Sequence, residues 1–177
     1  MNSAEIAHAI TNDVYLNKIC IGVFPSDKLP SIPMHPCCFV ANEDPAKKEG
    51  SHWVAFYVVG DGRCEFFDSY GRPPQNKNFV TFLRPYTLVW SNKQVQGLFS
   101  TVCGQHSLHY LFNRSRGIPY TDITNLYGKD LKDNDESVCA FINEMFDLST
   151  PVTDEEFLRS QISRQFYPWE RCFTKVV

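Results

Sequence analysis

His52–Gly71, HWVAFYVVGDGRCEFFDSYG, is the stretch that decides the architecture. Two runs rich in aromatic and β-branched residues flank Gly60-Asp61-Gly62, which is the pattern of a β-hairpin. With a three-residue loop at Gly60–Gly62, Val59 faces Arg63 and, counting back, His52 faces Tyr70. Asp68 is then a diagonal neighbour of His52 on the adjacent strand. A two-residue Asp-Gly turn reverses that parity, so the residues leave both registers open.

Working outward, CCFVAN (Cys37–Asn42) reads as a short buried strand. The proline-rich GVFPSDKLPSIPMHP (Gly22–Pro36) reads as an irregular connection, and EDPAKKEGS as a solvated loop. Ser3 is placed to cap a short helix carrying Ile6 and Ile10 on one face. Downstream, NFVTFLR makes two helical turns that end before Pro85. YTLVW (Tyr86–Trp90) reads as a strand. VQGLFSTVCGQHSLHYLF (Val95–Phe112) then passes from a polar loop into a helix from about Cys103 to Arg116, closed by Gly117. Val138, Phe141, Ile142 and Met145 form a helical stripe after polar caps in Asp133-Asn134-Asp135. Thr153 with Glu156 is a capping box for a helix over about 154–165. The expected fold is one α+β domain over 1–177, with a small mixed sheet packed on a buried helix and further helices flanking it.

The chain has 177 residues, 43% of them hydrophobic and 14% aromatic, which suits a globular domain that buries roughly 70% of its unfolded surface without staples. The net charge of −3, with no run of like charge, gives no support for nucleic-acid binding beyond a local patch. The start, MNSAEIAHAITN, has no secretory pattern, and no stretch approaches the length of a membrane span. The seven cysteines form no pair of CxxC motifs. Reduced thiols in a cytosolic or nuclear compartment are expected.

A thiol attacks an acyl carbon only as thiolate, and a helix N-terminus or a neighbouring imidazole supplies that state. Cys103 falls in the expected first turn of the buried helix, where unpaired N–H groups favour an anion. Gly104 beside it leaves room for a substrate backbone. His52, at the start of a strand, is the candidate base, and Asp68 is the candidate group that fixes its tautomer. The backbone N–H of Cys103 and the side-chain amide of Gln96 are candidate donors for the oxyanion. Trp53, next to the base, is placed to wall a substrate groove. Each residue alone has a plainer role in packing or in a turn; their joint order is what points to nucleophilic hydrolysis. A zinc module built on His35, Cys37 and Cys38, or on Cys103, His106 and His109, is the minor reading. Neither set has a second pair at a familiar spacing, and no cofactor is expected.

The segments GSHWVAFYV, FFDSYG and VQGLFSTVCG resemble the adenovirus-type cysteine proteases (adenain), in the clan that also holds the SUMO-specific proteases. Weaker echoes lie in DKLP and MHPCCFVAN, and the likeness spans roughly residues 20–117. It implies that His52 is the base, Asp68 its orienter, Cys103 the nucleophile and Gln96 the oxyanion donor. It also implies a cysteine endopeptidase that cuts capsid or virion precursor proteins after Gly, acting in the virion or in the host nucleus or cytoplasm. The alternative within the clan is an isopeptidase that removes ubiquitin-like modifiers. Several positions depart from the adenovirus pattern. Asp68 stands where adenovirus enzymes usually have Glu, and the polar pair Gln105-His106 follows Cys-Gly. Pro85 occupies the position of the cysteine that tethers an activating peptide, so any such peptide is expected to bind by strand addition alone, or the enzyme to be active without one. Val102 replaces the Asp that SUMO-type enzymes tend to carry before the nucleophile. The short length favours the viral type, and the departures favour a virus-like transposon of the Polinton/Maverick kind.

Overall fold

In the computed structural model, residues 1–146 and 148 are described. The helix expected over about 154–165, with its Thr153–Glu156 capping box, lies outside them.

The hairpin forms as β3 (Trp53–Val58) and β4 (Arg63–Phe67), with Val58 opposite Cys64 and Ala55 opposite Phe67. The Val59 N–H donates to the Arg63 carbonyl, so the loop is the three residues Gly60–Gly62. Gly62 sits at φ +83°, the left-handed geometry that such a loop requires and that a residue with a Cβ resists. Of the two registers, this is the one that sets His52 against Tyr70.

The hairpin is the right half of a five-stranded mixed sheet in the order β1-β2-β3-β4-β5. The others are β1 (Cys20–Pro25), β2 (Cys37–Asn42) and the short edge strand β5 (Thr87–Val89). β1 runs parallel to β2 and β5 parallel to β4, while β2–β3 and β3–β4 are antiparallel. β1 corrects the sequence reading, which merged its Gly22–Phe24 with the proline-rich stretch after it. The prolines begin only at Pro25; Cys20–Phe24 is an apolar run that pairs with β2 before they break the chain.

Both faces of the sheet are buried, which is why its strands read as near-continuous apolar runs. One face, with Phe39, Phe56 and Phe66, packs on Phe79 and Leu83 of α3 (Lys77–Leu83). Phe39 and Phe56 stack at 4.6 Å between ring centroids. The other face, with Ala55, Tyr57 and Phe67, packs on α4 (Cys103–Ser115) through Leu108, Tyr110 and Leu111. α1 (Ser3–Asn12), α2 (Leu16–Ile19), α5 (Tyr120–Asn125) and α6 (Leu131–Met145) surround that helix. Among the described residues, no helix is long and apolar enough to cross a membrane.

Two helix starts differ from the sequence reading. Asn2, not Ser3, caps α1, in a reciprocal capping box with Glu5. Asp130, not the Asp133–Asp135 run, caps α6; that run lies inside the helix, and Met145 at its end is exposed. α4 stops as expected. Gly117, at φ +86°, and Ile118 donate back to the Arg114 and Asn113 carbonyls.

α4 is also pinned to the sheet by charge. Glu65 of β4 is buried, accepts the Tyr110 hydroxyl at 2.6 Å, and pairs with Arg114 through Nε at 2.7 Å and Nη2 at 3.1 Å. Glu65→Ala strands a phenol and a guanidinium under the helix that carries Cys103. It is expected to destabilise the fold by about 3–5 kcal/mol, read as a shift in the urea midpoint at constant slope.

Candidate active site

Three elements meet at Cys103. The first is α4, whose first residue it is. The cysteine has the helix start behind it and is 7% exposed. The second is the entry to β3: the Trp53 N–H donates to Sγ at 3.4 Å, and the Ser107 hydroxyl, one turn along α4, donates to the Trp53 carbonyl at 3.2 Å. The third is the end of β4, which delivers Asp68.

His52 is buried between the cysteine and the aspartate. Its Nε2 lies 2.8 Å from Asp68 Oδ1, which leaves Nδ1 as the nitrogen for the thiol. Asp68 is held in turn by the Tyr70 N–H on Oδ1 at 2.9 Å and by Arg72 Nε on Oδ2 at 3.0 Å. Tyr70 stacks on the His52 ring at 5.0 Å between centroids, and the Arg72 guanidinium lies 5.1 Å from the same phenol ring. The imidazole therefore has one tautomer and one ring plane available.

Electrostatics follow from this packing. Burial pushes the Cys103 thiol up, but the His52 hydrogen bond, the Trp53 amide, the imidazole charge and the Gly104 amide outweigh it, and the net pKa falls below the ordinary thiol value. Burial disfavours charge on His52 as well. The hydrogen bonds to Asp68 and Cys103, and the charges of both, reverse that and raise it to about 9. Asp68, despite its burial, is held below the usual carboxylate range by His52, Tyr70 and Arg72. Both shifts run toward a thiolate–imidazolium pair braced by a carboxylate. The other cysteines with shifted thiols contrast with it: burial raises Cys37 and Cys64 to about 12, so they stay protonated and inert.

Gln96 reaches the same region from the loop before α4. The Ser69 hydroxyl donates to its Oε1 at 2.6 Å, which turns the amide nitrogen toward Tyr70 and the loop. Nε2 donates to the Ser100 carbonyl at 2.8 Å and makes a long 3.4 Å contact with the Tyr70 hydroxyl. The side chain is wholly buried and its donor is engaged.

Gly104 is closed over by its neighbours, while Trp53 lines a cavity. A Cβ on Gly104 would meet Met1 Cβ at 3.0 Å and Trp53 Cδ1 at 3.3 Å. The glycine thus lets α4 close on the N-terminal segment and on Trp53, and the space above it is filled rather than open to a groove. Trp53 is half-buried, its Nε1 donates to the Met1 carbonyl, and it lines a cavity of about 530 Å³ with Val23, Phe24, Asn42 and Gly50.

The zinc reading finds no geometry. His106 faces Asp135, and His109 faces Tyr127 and Asn113, so neither turns toward Cys103. Among the described residues, no group of three His, Cys, Asp or Glu side chains is arranged to hold a metal ion.

Sequence reasoning gave Ser69 and Arg72 no role and placed Tyr70 only as the residue facing His52. Their signal was adjacency: all three follow Asp68 within four residues. It also missed the contact of Asp135 with the loop that carries Gln96.

No protein-family model matches the sequence, and no curated protein matches it. Among solved structures, it is similar to the crystal structure of a protease of ASFV, with 25% identity and a TM-score of 0.49 over 82% of this chain. The match covers 58% of that protein's length.

Proposed function

We propose that the chain is a cysteine endopeptidase, with Cys103 as nucleophile, His52 as acid and base, Asp68 as its orienter and Gln96 as an oxyanion donor. The observation that carries this reading is the thiol at a helix start, facing an imidazole whose far nitrogen is 2.8 Å from a buried, doubly anchored carboxylate. A buried thiol with a lowered pKa needs such a device and serves no packing purpose that a neutral residue would not.

The thiolate adds to the scissile carbonyl carbon, and the carbonyl oxygen takes the negative charge. That oxygen is met by the Cys103 N–H and by Gln96 Nε2, which requires the Ser100 carbonyl to give up the amide as substrate binds. The His52 imidazolium protonates the departing amine, leaving a thioester on Cys103. His52, now neutral, takes a proton from water, which hydrolyses the thioester.

For substrate, the motif resemblance favours virion or capsid precursor polypeptides cut after glycine, in the virion or in the host nucleus or cytoplasm. The exposed edge strand β5 is available to an activating peptide by strand addition.

The test is hydrolysis of a peptide library by the purified protein, read by mass spectrometry and by pH. Cleavage is expected mainly after Gly, and inactivation by iodoacetamide on Cys103. The ion pair exists above the thiol pKa and below the imidazolium pKa, so kcat/KM should be bell-shaped, with its acid limb below the ordinary thiol value and its alkaline limb near about 9. Alkylation needs no proton donor and should stay fast where hydrolysis falls. Alkylation that instead tracks an ordinary thiol titration near about 8.5 removes the ion pair and this reading with it. Efficient cleavage of a folded ubiquitin-like protein, with short peptides ignored, assigns the isopeptidase role instead.

A further inference from the structure

We propose that Asp135 and His106 form a positioning pair that fixes Gln96 relative to Cys103. The inference rests on the proteolytic reading and assigns a role to a helix outside the triad.

α6 grips the chain on both sides of Gln96. Asn134 Nδ2 donates to the Val95 carbonyl at 3.2 Å, and the Gly97 N–H donates to Asp135 Oδ2 at 3.1 Å. The other carboxylate oxygen of Asp135 lies 2.8 Å from His106 Nε2. His106 is wholly buried and lies three residues after Cys103 on α4. One carboxylate thus ties the loop that carries the oxyanion donor to the helix that carries the nucleophile. The approach is close: a Cβ on Gly97 would lie 3.0 Å from Asp135 Oδ2.

Stability alone is a poor reason for this pair. Among the described residues His106 Nδ1 is buried without a hydrogen-bond partner, and burial outweighs Asp135 in holding the ring neutral. A leucine at this position would carry no unpaired nitrogen of its own. The neutral ring donates from Nε2, and the carboxylate accepts that bond and the Gly97 amide together. Distances from loop to helix are then set by two hydrogen bonds on one rigid group. Gln96 needs that constraint, because the Ser100 side of its loop has to move when substrate arrives while its own backbone stays in place.

The experiment is a double-mutant cycle on kcat with a peptide substrate. Asp135→Ala is expected to lower kcat about tenfold to a hundredfold with little change in KM, as a misplaced group does. Gln96→Ala should lower kcat by about 10²–10³. The double variant should be no slower than Gln96→Ala alone, since Asp135 acts through it. Asp135→Asn keeps an acceptor for Gly97 and an amide for the other His106 tautomer, and should recover most of the rate. Alkylation of Cys103 by iodoacetamide should be unchanged throughout. If Asp135→Ala fails to fold, Gly97→Ala displaces the same carboxylate from the loop side and should show the same kcat loss. Additive losses in the cycle, or an unchanged kcat in Asp135→Ala or Gly97→Ala, overturn the positioning role and leave the protease standing. A wild-type protein that is alkylated fast yet cuts no peptide overturns both.

Discussion

Cys103→Ala and His52→Ala should each lower turnover by about 10⁶-fold, the loss seen when the nucleophile or base of a serine protease is removed. The two act as one unit, so the double variant should be no slower than either single one. Their chemical signatures differ. Cys103→Ala removes the atom that attacks and should show no alkylation at that position. His52→Ala keeps the thiol but strips the hydrogen bond and charge that offset its burial, so its pKa should rise and its alkylation at neutral pH should slow sharply. Both variants should stay folded. Without the imidazole, Asp68 still has the Tyr70 amide and Arg72, and Cys103→Ala removes only a small, buried atom. Circular dichroism and the melting temperature check the fold, and initial rates check the chemistry. A Cys103→Ala protein that retains half the wild-type rate takes the nucleophile assignment down.

How much of this was readable beforehand depends on how local each signal is. The hairpin was legible because Gly60-Asp61-Gly62 interrupts two apolar runs, and counting back from the loop reached His52 and Asp68. What counting left undecided was parity, and the structure settles it through Gly62, the residue in the left-handed conformation. The buried helix was legible at both ends, from Cys-Gly at its start and Gly117 at its stop. β1 was lost because its apolar run is short and sits against a proline-rich stretch, so the composition of the neighbours hid the strand.

Asp133-Asn134-Asp135 illustrates a harder case. Aspartate and asparagine are favoured at helix caps, and they were read that way. Asp130 does the capping one turn earlier, which leaves Asn134 and Asp135 inside α6 and free to reach a loop that is 38 residues away in sequence. No periodicity carries that information, because the contact depends on how α6 packs beside α4. The same holds for Gly104. Its small size pointed to a close approach, and a close approach exists, but the partners are Trp53 and Met1, a residue far away in sequence.

Asp68→Ala should cost about 10⁴-fold in kcat, the scale of removing the triad aspartate alone in a serine protease. The alanine leaves the His52 imidazolium buried with no carboxylate and frees the ring to rotate off the thiol. Asp68→Asn should cost much less, and the geometry gives the reason. Oδ1 accepts from His52 Nε2 and from the Tyr70 amide, whereas among the described residues Oδ2 accepts only from Arg72, whose side chain is 43% exposed. An asparagine keeps its oxygen on the two buried donors and turns its amide toward Arg72, which can swing into solvent. The ring therefore keeps its tautomer and loses only the charge of its partner. That loss has a sign of its own. Asp68 helps to raise the His52 pKa toward about 9, so neutralising it should move the alkaline limb of the kcat/KM profile to lower pH. The ion pair should then fill a narrower window. Rates for wild type, Asp68→Asn and Asp68→Ala measured across pH 5–10 separate the two contributions. If Asp68→Asn is as slow as Asp68→Ala with its alkaline limb unmoved, the carboxylate is bracing the strand end rather than setting the charge of His52.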